Sequence, residues 1–271
     1  MQQYLAILKH VFDNGEDVVG RNGTVRKLFA PGQFDWDLRK GFPILTTKKI
    51  LWGVVLSELI VFIQGNCRLD DFTDRDCNIW TANANQFGGK TGRIYGVQWR
   101  HWQTADGKEI DQLAHVINTI TSNPQDRRMI VSAWNPGDMD FMCLPPCHVM
   151  FQLDVSADGK GLSLFMFQRS IDMFLGFPFN IASYATLLTL LAHISNLEAR
   201  RLVISLGNAH IYESHFEQVA EQLRRTPNEL PTLTINPRIK TLDDVDSILT
   251  SDDFELSDYN PQPFIRAKMI A

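Results

Sequence analysis

The sequence has no Cys-x-x-Cys pair, no internal repeat and no low-complexity tract. It also lacks any uninterrupted apolar run near the roughly 20 residues that a membrane-spanning helix needs. Each absence removes a class of protein. The four cysteines, Cys67, Cys77, Cys143 and Cys147, are too few and too scattered to staple a chain of 271 residues. A zinc site would have to draw on Cys143, Cys147 and His148, whose spacing is poor for a structural tetrahedron, so no metal is expected. The longest apolar run, Ile181 to Ile194, is interrupted by Ser, Tyr, Thr and His. Met1-Gln2-Gln3-Tyr4 lacks the charged-then-apolar layout of a secretory leader, and a cytoplasmic protein is expected. Positive charge is in short supply too. A net charge of −5 argues against a general nucleic-acid binder, though not against a local basic pocket for a small anion.

What remains is ordinary for a soluble globular chain: 44% hydrophobic and 21% charged residues, with glycine and proline spread evenly. One domain spanning 1–271 is expected. Hydrophobic periodicity predicts helices over 2–14, 51–65, 109–122, 181–195 and 213–225. In the third of these Ile110, Leu113, Ala114, Ile117 and Ile120 lie on one face. Strands are expected near 128–134, 148–155, 161–168 and 201–206, with Asp158-Gly159 turning the middle pair. Residues 21–41 read as hairpin-like, with turns at Asn22-Gly23 and Pro31-Gly32, and 66–107 as loop-rich. Helices and strands mix without strict βαβ alternation, which points to an α+β fold on a mixed sheet.

The densest chemistry lies at 168–184. The apolar run Leu162 to Phe167 ends in Gln168-Arg169-Ser170, and Gly176 and Pro178 break the chain before the next helix. A polar cluster where a strand gives way to a helix is a usual place for ligand groups. Arg169 and Ser170 suit a phosphate; Asp172, an acceptor, and Asn180, both donor and acceptor, suit a polar heterocycle. Cys147, stiffened by Pro145 and Pro146 at a strand mouth, is a candidate nucleophile, although a lone cysteine is more often a small buried hydrophobe. His148 is adjacent in an extended segment and points the other way, so the two do not make a protease dyad.

Glu58 falls on the apolar stripe of its helix, with Leu51, Val54, Val55, Leu59 and Phe62. A carboxylate there is either paired or desolvated into the range useful for proton transfer. Arg21, Arg127, Arg128 and Arg169 are anion candidates, each individually also a plausible surface charge. Arg200, Arg201, Arg224 and Arg225 read as solvated. His210 and Tyr212 alternate as a strand would place them, suited to a sugar hydroxyl or to a packed aromatic edge.

Taken in order, Arg21-Asn-Gly-Thr24, Gly41-Phe-Pro-Ile-Leu-Thr-Thr-Lys48-Lys49, Glu58-Leu-Ile-Val-Phe-Ile-Gln-Gly65, Tyr95-Gly-Val-Gln-Trp-Arg100, Asp126-Arg-Arg128, Val131-Ser-Ala-Trp-Asn135, Leu144-Pro-Pro-Cys-His148, the 168–184 segment, His210-Ile-Tyr212 and Tyr259-Asn-Pro261 give nearly the whole chain a resemblance to the thymidylate synthase family. The resemblance implies a homodimer built on one sheet face. It implies reductive methylation of dUMP, with methylenetetrahydrofolate supplying carbon and hydride. Cys147 would add to carbon 6 of the pyrimidine. Arg21, Arg169 and Ser170 would hold the phosphate, and Arg127 and Arg128 would reach the neighbouring subunit's phosphate. Three arginines near Cys147 would favour its thiolate. Asn180 would read the base, His210 and Tyr212 the sugar. Glu58, Tyr95 and His148 would manage protons. Lys48, Ile79, Trp80, Leu144, Asp172 and Ala271 would serve the folate, and Met269-Ile270-Ala271 would close over it.

The chain departs from the family pattern at Thr81, Val61, Thr91-Gly92-Arg93 and Gln262, mostly on the folate side. A wetter site would let water capture the methylene and give 5-hydroxymethyl-dUMP, the alternative product. A relative that binds nucleotide or RNA without catalysis is the reading from another class.

Overall fold

The computed structural model describes residues 1–20 and 22–270. The chain opens with α1 (Gln2–Asn14), whose Tyr4, Leu5, Ile7, Leu8 and Val11 recur at helical spacing and are all buried. Next come β1 (Glu16–Gly20), β2 (Gly23–Phe29) and β3 (Gln33–Asp37). Then follow α2 (Trp52–Ile63), the short helices α3 (Leu69–Thr73), α4 (Thr81–Gln86) and α5 (Tyr95–Arg100), a two-residue pair β4 (Trp102–Gln103) and β5 (Glu109–Ile110), and α6 (Gln112–Ser122). The central block is β6 (Ile130–Ser132), β7 (His148–Val155), β8 (Gly161–Asp172), α7 (Gly176–Ile194) and β9 (Glu198–Tyr212). The chain ends with α8 (Phe216–Leu223), β10 (Thr232–Ile235), α9 (Leu242–Ser247), β11 (Phe254–Ser257) and an irregular tail.

A seven-stranded mixed sheet runs in the order β1-β2-β9-β8-β7-β6, with β3 also on β9. β9 organises it. Its second half pairs with β2, its first half with β3, and its other edge runs parallel to β8. α7 supplies the crossover that a parallel pair requires and packs on both strands. α2 lies on α7. The fold is therefore α+β, as expected, and a single domain.

The sequence reading errs at several boundaries. β2 and β3 do not form a hairpin with each other. Asn22-Gly23 instead lies at the turn between β1 and β2, and Pro31-Gly32 carries the chain along β9. β9 runs from Glu198 to Tyr212, far beyond 201–206, because neighbours on both edges satisfy its backbone through the polar stretch Gly207-Asn208. Gly207 is required there: a Cβ would sit 2.8 Å from the Arg169 carbonyl oxygen. α6 starts only at Gln112, capped by the Asp111 carboxylate, and Ile110 is exposed in β5 rather than on the core face.

β8 continues through Arg169 and Ser170 to Asp172, so these residues lie within the strand. Gly176 and Pro178 do not break the chain before a helix; they belong to the first turn of α7. Proline is tolerated there because the first N–H groups have no helical partner. The segment 66–107 contains α3 to α5, and α5 is buried throughout. With its first turn included, α7 is long and apolar enough to cross a membrane, but 72% of its apolar window is buried inside the protein: it is the core helix.

Candidate active site

The C-terminal ends of β8 and β9, the start of α7 and the 144–148 segment surround a cleft of about 580 Å³. Glu58, Ile79, Trp80, Tyr95, Leu144, Cys147, His148, Ser170, Asp172, Asn180 and Lys48 all line it, although they come from six separate stretches of sequence. A second cavity of about 510 Å³ shares Lys49, Ile50 and Leu51 with it and holds none of the candidate residues.

Cys147 is placed by its backbone. Its N–H donates to the Tyr95 hydroxyl (2.7 Å), and its carbonyl accepts from Arg169 N (2.9 Å). The Arg169 guanidinium donates to the carbonyls of Pro146 (2.8 Å) and Pro145 (2.6 Å) and lies 5.3 Å from the Trp134 ring. Arg169 thus braces the turn that presents the thiol, and two of its five N–H donors are used in doing so. Burial pushes the Cys147 thiol up, against the pull of Arg169 and of hydrogen bonds from Tyr95 and Ser170. Of the arginines expected near Cys147, Arg169 is the one that acts on the thiol among the described residues. Arg128 is salt-bridged to Asp126 (2.7 Å) with its side chain 85% exposed, and Arg127 is exposed as well. Arg21 lies outside the described residues.

Glu58 is buried on α2, and the Trp80 indole N–H donates to it at 2.8 Å. Desolvation outweighs that bond and pushes its carboxyl up to about 7. His148 is enclosed between the rings of Tyr95 (5.0 Å) and Tyr184 (5.2 Å). Burial lowers it to about 4, a hydrogen bond with Asn180 opposing, so it is neutral at physiological pH. The side-chain oxygen of Asn180 accepts from Gln168 Nε2 at 2.7 Å, which orients the amide at the cleft. Gln168 received no role from the sequence. The strand alternation of β8, which turns it inward beneath Asn180, is the signal that would have found it.

Asp172 accepts from Phe174 N (2.9 Å) and Leu175 N (3.1 Å) just ahead of α7. Lys48 is buried, donates to the Phe174 carbonyl (2.5 Å) and sits 3.5 Å from that ring's centroid. Burial brings it down to about 7, partly offset by Asp172. His210 and Tyr212, with rings 5.4 Å apart, are at the end of β9, where Asp172 pairs with His210 across the strands. They flank the cleft and are not part of its lining.

The tail lies across the cleft mouth, with Phe264, Ile265, Arg266, Ala267 and Met269 in its lining; Ala271 lies outside the described residues. Arg225 is not the solvated charge the sequence suggested. It donates to the carbonyls of Thr47 (2.8 Å) and Pro263 (2.7 Å), tying the tail to the 45–50 segment. Cys143, Cys147 and His148 form no ligand set; among the described residues no three such groups meet.

A thymidylate synthase family model matches residues 2–271. The chain belongs to the thymidylate synthase family. It is accordingly a transferase acting on dUMP, by methylation or hydroxymethylation, in a family that uses methylenetetrahydrofolate as co-substrate. Against the thymidylate synthase pattern, the departures have structural settings. Val61 is fully buried on α2. Gly92 has a φ of +74° and pairs with Met142, so close to the chain that a Cβ would lie 2.0 Å from the Phe141 carbonyl oxygen. Arg93 is salt-bridged to Asp138 (2.7 Å). Gln262 donates to the Thr226 carbonyl (2.7 Å). Thr81, at the start of α4, has a buried hydroxyl with no partner among the described residues.

Proposed function

We propose that the chain catalyses reductive methylation of dUMP to dTMP, with Cys147 as the nucleophile. The observation that carries the reading is the buried Trp80–Glu58 pair beside Cys147. It sets an apolar wall and a proton-exchanging carboxyl against the carbon that must accept a hydride.

Carbon 5 of uracil is a poor nucleophile until a group adds at carbon 6. Cys147, fixed by Tyr95 and Arg169, is positioned for that addition. The remaining Arg169 donors and the Ser170 hydroxyl bind phosphate, and that remote binding energy positions the base. Asn180, oriented by Gln168, reads the pyrimidine edge, while His210 and Tyr212 hold the sugar. Glu58 exchanges protons through water, with neutral His148 and Tyr95 beside it. The cleft suits a folate: Ile79, Trp80 and Leu144 offer flat apolar surface, Asp172 an acceptor for a pterin, and Lys48 a cation for a glutamate. When bound, the folate supplies the one-carbon unit and the hydride. The half-buried Phe165 and Phe167, outward-facing on β8, support a homodimer through the sheet, in which Arg127 and Arg128 would serve the partner's phosphate.

Thr81 favours the second reading. An unpartnered buried hydroxyl invites an ordered water, and water that captures the methylene gives 5-hydroxymethyl-dUMP. Incubation with dUMP and methylenetetrahydrofolate is expected to yield dTMP by mass, with one dihydrofolate formed per product by absorbance. A hydroxymethyl product without dihydrofolate would overturn the methylating assignment. Asn180→Asp is expected to lower the dUMP-to-dCMP ratio of kcat/KM by about 10²-fold, since the base edge loses its donor. An unchanged ratio would mean that the base is read elsewhere.

A further inference from the structure

Among the described residues, the hydrogen bonds holding the tail come in two groups. The first is dense and stops at Pro263. Tyr259 OH donates to Leu45 O (2.8 Å) and accepts from Ile50 N (3.0 Å). Asn228 donates to Asn260 O (2.8 Å), Gln262 N to Thr46 O (2.8 Å), and Arg225 to Pro263 O. The second group is a single bond. The Nε2 of His215 lies 2.9 Å from the Lys268 carbonyl oxygen. A carbonyl only accepts, so Nε2 carries a proton, and Nδ1 is buried with no partner among the described residues.

His215 is fully buried in the turn between β9 and α8. Its ring packs on Phe174 (5.6 Å) and Tyr212 (5.7 Å). Phe174 is the residue whose ring and carbonyl hold Lys48. One imidazole therefore touches the sugar-side tyrosine and the support of the folate-side lysine, and hydrogen-bonds the segment that covers the cleft. A buried histidine with one unsatisfied nitrogen costs stability relative to an apolar ring of similar size.

We propose that His215 is a positioning residue: it latches residues 264–270 across the cleft through the Lys268 carbonyl, and so sets how tightly the folate is enclosed. The folate part rests on the function proposed above; the latch itself does not.

Two substitutions separate donor from ring. His215→Phe keeps a ring against Phe174 and Tyr212 and removes the donor. His215→Gln keeps a donor at the corresponding position and removes the ring. In the ligand-free protein, amide hydrogen exchange over 264–270 is expected to quicken about 5–10-fold in the Phe variant, the effect of one lost hydrogen bond. In the Gln variant it should stay within about twofold of wild type. The KM for methylenetetrahydrofolate should rise by a similar factor in Phe alone, with dUMP affinity little changed. If phenylalanine proves too large to fold there, His215→Leu makes the same comparison. Tail exchange unchanged in the donor-less variant, or equally fast in Gln, would overturn the latch. A loosened tail with unchanged folate KM would overturn only its role in enclosing the folate.

Discussion

Cys147→Ala should lower turnover by at least about 10⁴-fold while leaving dUMP affinity within about threefold of wild type. The asymmetry follows from where the residue's neighbours point. Arg169 braces Pro145 and Pro146, and its own backbone N–H is bonded to the Cys147 carbonyl; none of these contacts uses the sulfur. Removing the sulfur therefore leaves the turn, Ser170 and the free guanidinium donors in place to bind phosphate. What disappears is the thiol proposed to add to carbon 6. Isothermal titration with dUMP and a single-turnover assay measure the two quantities independently. Residual turnover above about one per cent would mean that carbon 5 is activated without a covalent adduct. A parallel loss of binding would mean that the thiol is structural.

Glu58→Gln is expected to lower kcat by about 10²–10³-fold, in the range of a lost acid–base group, and to change the pH dependence of two properties in a defined sense. The first is the rate. The wild-type profile should carry an ionisation near pH 7, the value to which burial pushes Glu58, and the glutamine variant should lack it. The second is stability. The folded-state value lies above the unfolded one, so the folded protein holds the proton more tightly. The stability linked to Glu58 is fully present below about pH 4.5 and is lost as pH rises through about 7. The difference is on the order of 3 kcal/mol. His148, lowered to about 4, titrates with the opposite sign, so the informative quantity is the difference between wild type and variant. Urea unfolding at pH 5 and pH 8 should show the glutamine variant gaining on wild type at the higher pH. An equal slope in both proteins would place Glu58 in a paired, ionised state and remove it from proton transfer.

Much of this site was legible because each local signal had a direct physical cause. Glu58 stands out since a carboxylate on an apolar helical stripe has nowhere to go but inward. Asp172 and Asn180 stand out since polar groups between a buried strand and a buried core helix face whatever lies at the strand ends. The errors also have causes. Gly176 and Pro178 look like breakers, yet both are compatible with a first helical turn, and α7 begins there. β9 looked short because Gly207 and Asn208 interrupt its apolar run, whereas its length is set by strands pairing on both edges. Arg225 looked solvated beside Arg224, because its partners Thr47 and Pro263 are 178 and 38 residues away. His215 gave no signal at all: its acceptor is a backbone carbonyl, which no side-chain pattern reveals.

By itself the sequence determined the family, the α+β class and the identity of most groups that face the cleft, because residue type and order along the chain are sufficient for these. The tertiary structure decided how those groups behave. Burial sets Glu58 and Lys48 near 7 and keeps His148 neutral, and desolvation is a property of the surroundings rather than of the residue. It also decided that Arg169 braces the turn that carries Cys147, and that a histidine from the turn after β9 hydrogen-bonds the tail. Both depend on distances between residues far apart in sequence, and those distances exist only once the chain has folded.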